Sequence, residues 1–316
     1  MQHTLNDDKI ILVTGGAGFI GSAVIKELND KGISKIVVVD DLDSSEKWQN
    51  LVGKKYIELV PIAETFTWIK ANQPSVGAVI HLGACSSTVE KDAKYLHENN
   101  TRFSQRLYEA VNGNGCRFIY ASSAATYGDG SKGFSDDESK LDALQPLNMY
   151  GYSKHLFDLW LRDQAQFKNA SGLKYFNVYG PNEYHKGRMS SALFHMYPVA
   201  KSEKVVKLFK SSEPSKYSDG GQMRDFLYVK DAVRMTCAFL ENDATGIFNI
   251  GSGNPATWNS VAENLFSSLK IDGKIQYIPM PEDLIGKYQN YSAADMEKTK
   301  KSSWTGSSIT TIVGSG

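Results

Sequence analysis

Ile10-Ile-Leu-Val-Thr14, continued by Gly15-Gly16-Ala17-Gly18-Phe19-Ile20-Gly21, is the stretch that decides how this chain folds. The apolar run suits a strand buried on both faces. Ile20, Val24, Ile25 and Leu28 then recur at helical spacing. Glycines at 15, 18 and 21 stand between the two patterns. The first allows a tight turn, the second lets the backbone approach a pyrophosphate, and the third lets helix and strand pack closely. The helix N-terminus would then turn its free N–H groups and positive dipole end toward the phosphates. A glycine triplet alone is a weak signal. Here the next apolar run, Lys35-Ile-Val-Val-Val-Asp40, ends in an acid about 20 residues beyond Gly21, where a ribose hydroxyl is expected. Asp40 favours a free 2′-hydroxyl and therefore NAD, whereas Lys47 is placed to meet the 2′-phosphate of NADP, and the local residues leave both open.

Working outward, Tyr56–Val60, Ala78–Leu82 and Arg117–Ser122 read as further strands, with helical patterns between them, clearest over 91–112. Such alternation predicts an α/β fold: a Rossmann-type doubly wound parallel sheet with right-handed crossovers. The second half is less regular. Residues 211–222 form a polar Gly/Ser/Pro loop, and 255–270 reads as a helix after a proline, with Trp258, Val261, Leu265 and Leu269 on one face. The expected division is a dinucleotide-binding domain over 1–180 and a smaller mixed α/β substrate-binding lobe over 181–316, with an approximate boundary and a chain free to cross between them.

Bulk properties narrow the function classes. Lys+Arg and Asp+Glu both number 35, so no excess positive charge suggests nucleic-acid binding. Cys85, Cys116 and Cys237 are odd in number and far apart, with no disulfide framework or C-x-x-C pair, and the six histidines show no metal-ligand spacing. No metal is expected. The first ten residues are polar and no apolar run reaches the roughly 18 residues of a membrane span. A soluble, cytoplasmic protein with no membrane partner is the expectation.

A second motif carries chemistry. Tyr150 and Lys154 in Asn148-Met-Tyr-Gly-Tyr-Ser-Lys154 lie at i and i+4, on one helix face. A tyrosine of ordinary pKa near 10 is a poor base at neutral pH. A neighbouring ammonium and a positive nicotinamide would lower that value, letting Tyr150 take a hydroxyl proton as hydride leaves. Ser123 follows a predicted strand end and suits holding the substrate oxygen near Tyr150. Tyr152 is the decoy, two residues from Lys154. A Tyr-x-x-x-Lys alone is common on solvated helices; its position after a phosphate turn and a strand-terminal Ser-Ser gives it weight.

These residues, together with Arg224-Asp-Phe-Leu-Tyr-Val-Lys-Asp231, resemble the extended short-chain dehydrogenase/reductase family of nucleotide-sugar epimerases and dehydratases over about 1–300. Within it, His81-Leu-Gly-Ala-Cys-Ser-Ser-Thr88, Tyr175-Phe-Asn-Val-Tyr-Gly-Pro181, His185-Lys-Gly187 and Gly286-Lys-Tyr-Gln289 resemble the ADP-heptose 6-epimerase branch. The resemblance implies an isomerase that oxidises the C6″ hydroxyl of an ADP-heptose with tightly held NADP and returns hydride to the opposite ketone face, in lipopolysaccharide precursor synthesis. It implies Tyr150 and Lys186 as acid/base groups, assisted by Lys154 and Ser123. It places the cofactor against Gly15, Gly18, Phe19, Ile20, Gly21, Asp40, Asp41, Lys47, Leu82, Gly83, Ala84, Cys85, Ser86, Asn99, Lys154, Val178 and Lys186. It places the substrate against Ser123, Asn177, Arg188, His195, Phe209, Lys210, Ser211, Ser212, Arg224 and Tyr288. Arg224 suits a diphosphate, since a guanidinium fork matches phosphate oxygens. Arg188 stands where that branch carries a small serine. The resemblance also implies a homo-oligomer, typically a pentamer. The tail 302–316 lacks the amphipathic closing helix expected there.

Other readings compete. His81, inside an apolar run, is expected to be a hydrogen-bonded core histidine, Cys85 a small packing residue beside the cofactor, and the charges of 90–106 a solvated helix face apart from Asn99. A UDP-sugar 4-epimerase would share the Tyr/Lys machinery but not His185-Lys-Gly187. A 4,6-dehydratase needs extra acid/base groups after the strand-terminal serines, where this chain has Ala124 and Ala125. A dinucleotide-sensing protein without chemistry would have no need of the Tyr/Lys pair.

Overall fold

The computed structural model describes residues 8–113, 115–282 and 288–302. The strands are β1 Ile10–Thr14, β2 Ile36–Val39, β3 Glu58–Val60, β4 Val76–His81, β5 Arg117–Ser123, β6 Ala170–Tyr175, β7 Asn177–Tyr179, β8 Val205–Phe209, β9 Met223–Arg224, β10 Phe226–Tyr228, β11 Gly246–Ile250, β12 Ala256–Thr257 and β13 Lys274–Ile278. The helices are α1 Phe19–Asp30, α2 Thr65–Asn72, α3 Ala93–Leu96, α4 Phe103–Asn112, α5 Met149–Trp160, α6 Ala192–Glu203, α7 Val229–Ala238, α8 Trp258–Leu269 and α9 Glu297–Ser302.

Seven strands form one sheet in the order β3-β2-β1-β4-β5-β6-β11, and every neighbouring pair is parallel. Strands such as β1 and β2 are apolar along their length because helices cover both faces of a parallel sheet. Strand order reverses between β1 and β4, and a ligand crevice opens at the carboxyl ends of a sheet at such a switch point. The main core runs through these strands and α1, α4, α5 and α7. A separate small core of Ala200, Val206, Leu208, Ala262 and Phe266 joins α6 and α8 to β8, which pairs with β13. After β8, β9 and β10 the chain passes through α7 to β11, which pairs with β6 at the edge of the main sheet.

Two predicted elements differ in detail. The helix predicted over 91–112 is broken by a π-helical turn, His97–Arg102, between α3 and α4. The charges of this run are mostly exposed, as expected, whereas the uncharged Asn100, Thr101 and Ser104 turn inward and are buried. The helix predicted over 255–270 begins at Trp258, where the Thr257 side chain caps it by accepting from the Ser260 N–H at 3.0 Å. The tail beyond Ser302 and the segment 283–287, including Gly286 of the Gly286–Gln289 phrase, lie outside the described residues. Among the described residues no helix is long and apolar enough to cross a membrane, and no group of three His, Cys, Asp or Glu side chains could hold a metal ion.

Candidate active site

A cleft of about 900 Å³ opens over the switch point. Its floor is the phosphate turn. Gly15 adopts φ +67°, a left-handed conformation that disfavours a side chain, and a Cβ there would come within 2.6 Å of the Gly83 nitrogen. The turn after β1 and the segment after β4 therefore touch backbone to backbone, and Leu82–Ser86 lines the cleft beside Gly15, Gly18 and Gly21. Gly18 is the N-cap of α1 and supplies no side-chain cap, so the helix turns free N–H groups toward the crevice. The residues fit the pyrophosphate of an extended dinucleotide. All seventeen expected cofactor contacts line this cleft, including Phe19, Ile20, Asp41, Asn99 and Val178.

Asp40 is buried. It accepts from the Ala17 N–H at 2.9 Å, the Asp41 N–H at 2.9 Å and the Lys47 ammonium at 2.9 Å. The two residues whose signals compete over cofactor choice thus form one ion pair, held against the phosphate turn.

The second wall carries Tyr150, Lys154 and Ser123. Asn148 caps α5 by accepting from the Gly151 N–H at 2.8 Å, which sets Tyr150 in the first helical turn. A Cβ on Gly151 would lie 2.7 Å from the Ala125 carbonyl oxygen, so glycine lets α5 sit against the turn that follows Ser123. The Ser123 hydroxyl accepts from the Ala125 N–H at 3.1 Å, leaving its own proton to donate. Burial pushes the Tyr150 phenol above its ordinary value of 10, and its hydrogen bond with Ser123 works the other way. The lowering expected from the sequence is absent from the protein's own groups. Burial also draws the Lys154 ammonium down to about 8, opposed by Asp158. Tyr152 is exposed and does not line the cleft.

Behind this wall, Asn100 accepts from the Cys85 N–H at 2.9 Å and donates to the Cys85 carbonyl and to Ser153 Oγ at 3.0 Å each. It locks the Leu82–Ser86 segment to α5. His81 is a core histidine, bonded to Thr14 Oγ1 at 2.6 Å and to Ser104 Oγ at 2.8 Å, with its pKa lowered to about 3 by burial. Cys85 lines the cleft as a free thiol.

Lys186 lines the same cleft from the turn Tyr184–Met189. Its ammonium stands 5.3 Å above the Phe19 ring. Burial lowers its pKa, opposed by Glu183. Glu183, itself buried, accepts from the Gly180 N–H at 3.0 Å and the Ser191 hydroxyl at 2.8 Å. Asn50 donates to the Ala17 carbonyl at 3.0 Å and to the Asn182 carbonyl at 3.2 Å, tying this turn to the phosphate turn. No local motif flags Asn50, Asn100 or Asn182, whose partners are distant in sequence; Glu183 bonds within its own loop, to residues three to eight positions away.

The expected substrate contacts divide. Ser123 and Asn177 line the cleft. Phe209, Arg224 and Tyr288 form a second cluster in the small lobe: the Arg224 guanidinium lies 4.7 Å over the Tyr288 ring, and the Phe209 and Tyr288 rings are 6.2 Å apart. Trp258 donates to the Tyr288 hydroxyl at 2.9 Å. Arg224 is buried and pairs with no carboxylate among the described residues; it donates to the Met223 carbonyl at 2.9 Å. Lys210, Ser211 and Ser212 directly follow Phe209, the last residue of β8. Arg188 and His195 are exposed and line neither the cleft nor the Arg224 cluster.

The sequence pattern of the NAD dependent epimerase/dehydratase family matches residues 11–251. The chain belongs to this family. Among relatives, the chain is 51 % identical over 293 residues to ADP-L-glycero-D-manno-heptose-6-epimerase of Nitratidesulfovibrio vulgaris, covering 92 % of this chain and 90 % of that one. It is 44 % identical over 310 residues to the enzyme of the same name from Fusobacterium nucleatum, covering 94 % and 92 %. Among solved structures it resembles the Helicobacter pylori ADP-L-glycero-D-manno-heptose-6-epimerase, with a TM-score of 0.78 at 26 % identity over 96 % of this chain and 93 % of that one. The family match covers the whole cleft, from the phosphate turn to the Lys186 turn, and its nicotinamide dinucleotide suits the cradle described above.

Proposed function

We propose that this protein is an ADP-L-glycero-D-manno-heptose 6-epimerase. It inverts C6″ of ADP-D-glycero-D-manno-heptose through a transient 6″-ketone, supplying a precursor of the lipopolysaccharide core. The observation that carries this reading is the presence of two proton-transfer groups, Tyr150 on α5 and Lys186 on the Tyr184–Met189 turn, in the walls of one cleft. Inversion presents each face of the same carbon in turn, and one acid/base group per face suits that task.

A bound nicotinamide dinucleotide supplies the hydride acceptor and donor. Gly15, Gly18 and Gly21 hold its phosphates, and Leu82–Ser86, Asn99 and Val178 hold the rest. Ser123 donates to the reacting oxygen while Tyr150 takes its proton. Lys154, still largely protonated at neutral pH with its pKa near 8, stabilises the phenolate as it forms. The lowered pKa of Lys186 brings its amine closer to the working pH, which suits a group that both accepts and gives a proton. Asn177 flanks the sugar. Arg224, backed by Tyr288 and Phe209, clamps the diphosphate in a buried setting where a guanidinium fork is strongest; Lys210–Ser212 close over the nucleotide. Arg188 and His195 would reach the substrate only from the exposed rim.

The finer cofactor reading is NADP. Lys47 neutralises the Asp40 carboxylate that would otherwise repel a 2′-phosphate, and its side chain stays 17 % exposed at the cleft. The mass of the dinucleotide that co-purifies with the protein separates NADP from NAD. The same reading includes a homo-oligomer, a pentamer, in the cytoplasm, which light scattering of the purified protein tests for size. The decisive assay incubates the protein with ADP-D-glycero-D-manno-heptose and follows C6″ by NMR, with a UDP-hexose as control. Conversion of the heptose supports the reading; no conversion by folded, dinucleotide-loaded protein sinks it.

A further inference from the structure

Behind the cleft wall lies a charged group that the reaction does not touch. Asp158 and Lys174 are both fully buried, with carboxylate oxygen and ammonium 2.7 Å apart. Asp158 also accepts from the Tyr120 hydroxyl at 2.9 Å and the Ser122 hydroxyl at 2.7 Å. Lys174 also donates to Thr126 Oγ1 at 2.6 Å, and Thr126 in turn donates to the Ser123 carbonyl at 2.8 Å. A buried ion pair contributes little net stability, because desolvating two charges offsets their attraction, and an apolar pair of similar volume often packs as well or better. Stability therefore does not explain this one. Its attachments do. Tyr150, Lys154 and Asp158 stand at i, i+4 and i+8 on α5, so they share one face. Lys174 lies on β6 in register with Ser122, one residue before Ser123. Every arm of the pair thus ends on the helix that carries Tyr150 and Lys154 or on the strand end that carries Ser123.

We propose that Asp158 and Lys174 form a positioning unit, which fixes α5 against the end of β5 so that Ser123, Tyr150 and Lys154 converge on the substrate oxygen. This rests on the proposed roles of those three residues. The full satisfaction of both charges supports it: the carboxylate has three donors, and the ammonium has two oxygen partners and the Tyr127 ring 5.1 Å away. The carboxylate also acts on Lys154 through space, opposing the effect of burial on its ammonium.

The test compares wild type with the double variant Asp158→Leu/Lys174→Met, which removes the pair without leaving a lone buried charge, and with Thr126→Val, which cuts only the arm to Ser123. Each is assayed for epimerisation of both ADP-heptose isomers, for dinucleotide affinity and for thermal unfolding. Loosening reacting groups by a fraction of an ångström to 1 Å lowers rate rather than binding. The expected result for the double variant is a kcat lower by about 10–100-fold, with KM and dinucleotide affinity within about twofold of wild type. Thr126→Val should lower kcat by a smaller factor in the same pattern. A double variant that folds and keeps wild-type kcat overturns the proposal. Should it fail to fold, Thr126→Val decides: unchanged kcat overturns the proposal, and a lowered kcat at constant KM supports it. A wild type inert toward both isomers refutes the proposed function and this inference with it, whereas an active wild type matched by its variants refutes the inference alone.

Discussion

Replacing Gly21 with alanine probes the phosphate turn at its tightest point. A Cβ built there lies 2.1 Å from the Gly15 carbonyl oxygen, 2.8 Å from the Gly15 carbonyl carbon and 2.9 Å from the Gly16 Cα. All three are backbone atoms, so no side chain can swing aside, and α1 must back away from the turn by at least about 1.3 Å to reach ordinary contact. Overpacking of this kind costs about 1–3 kcal/mol. Alanine recovers up to about 1 kcal/mol through its higher helix propensity. The net loss of about 1–2 kcal/mol corresponds, for a chain of 316 residues, to a Tm lower by about 2–3 °C. Binding should suffer more than stability, because the same movement withdraws α1's N–H groups from the phosphates. Losing one charge-assisted hydrogen bond, about 1.5–3 kcal/mol, weakens affinity about 10–100-fold. Fluorescence titration with reduced dinucleotide and a thermal scan of ligand-free protein measure the two effects separately. Gly113→Ala is the control: Gly113 has helical dihedrals, and a Cβ there meets nothing nearer than the Gln73 amide at 3.7 Å, so its stability should stay level or rise slightly. A Gly21→Ala protein that binds dinucleotide within twofold of wild type would refute the claim that this glycine sets the cradle.

Tyr150→Phe and Lys186→Ala should each slow epimerisation by about 10²–10⁴-fold while dinucleotide binding persists, as single-turnover kinetics would show; an unchanged rate in Lys186→Ala would make that lysine structural. Arg224→Lys keeps the charge but loses the bidentate fork, so the KM for the nucleotide sugar should rise about tenfold or more with little change in kcat, as initial-rate kinetics would show. His81 is buried neutral with a pKa near 3, well below the 6.5 of the unfolded chain. Its contribution to stability is intact above pH 6.5 and is lost as pH falls toward 3, because the unfolded state takes up the proton first. Between pH 7 and 5 this group alone should remove about 2 kcal/mol, and urea unfolding should show that slope in wild type and a shallower one in His81→Asn.

The residues that organise the cleft from behind were those least visible in the chain. Asn100, Thr101 and Ser104 belong to a run whose charges read as a solvated helix face, and they are buried because a π-helical turn swings them inward to hold Cys85 and α5. Asp158 and Lys174 look like ordinary surface charges until β5, β6 and α5 close around them. The substrate contacts were read as one set, yet Arg224, Tyr288 and Phe209 gather in the small lobe while Arg188 and His195 are exposed elsewhere.

What the chain determined by itself was the repeated strand–helix pattern, the phosphate turn and the Tyr150/Lys154 pair. Each depends on residues within about one turn or one strand of each other, where the periodicities of 3.6 and 2 leave a direct mark. Only the tertiary structure decided that Lys47 pairs with Asp40, that β11 returns to the main sheet, that Asn50 ties the Lys186 turn to the phosphate turn, and that a buried ion pair lies behind the wall carrying Tyr150 and Lys154. These contacts depend on which groups lose water together when distant segments meet, and removal from water leaves no periodic trace along a sequence.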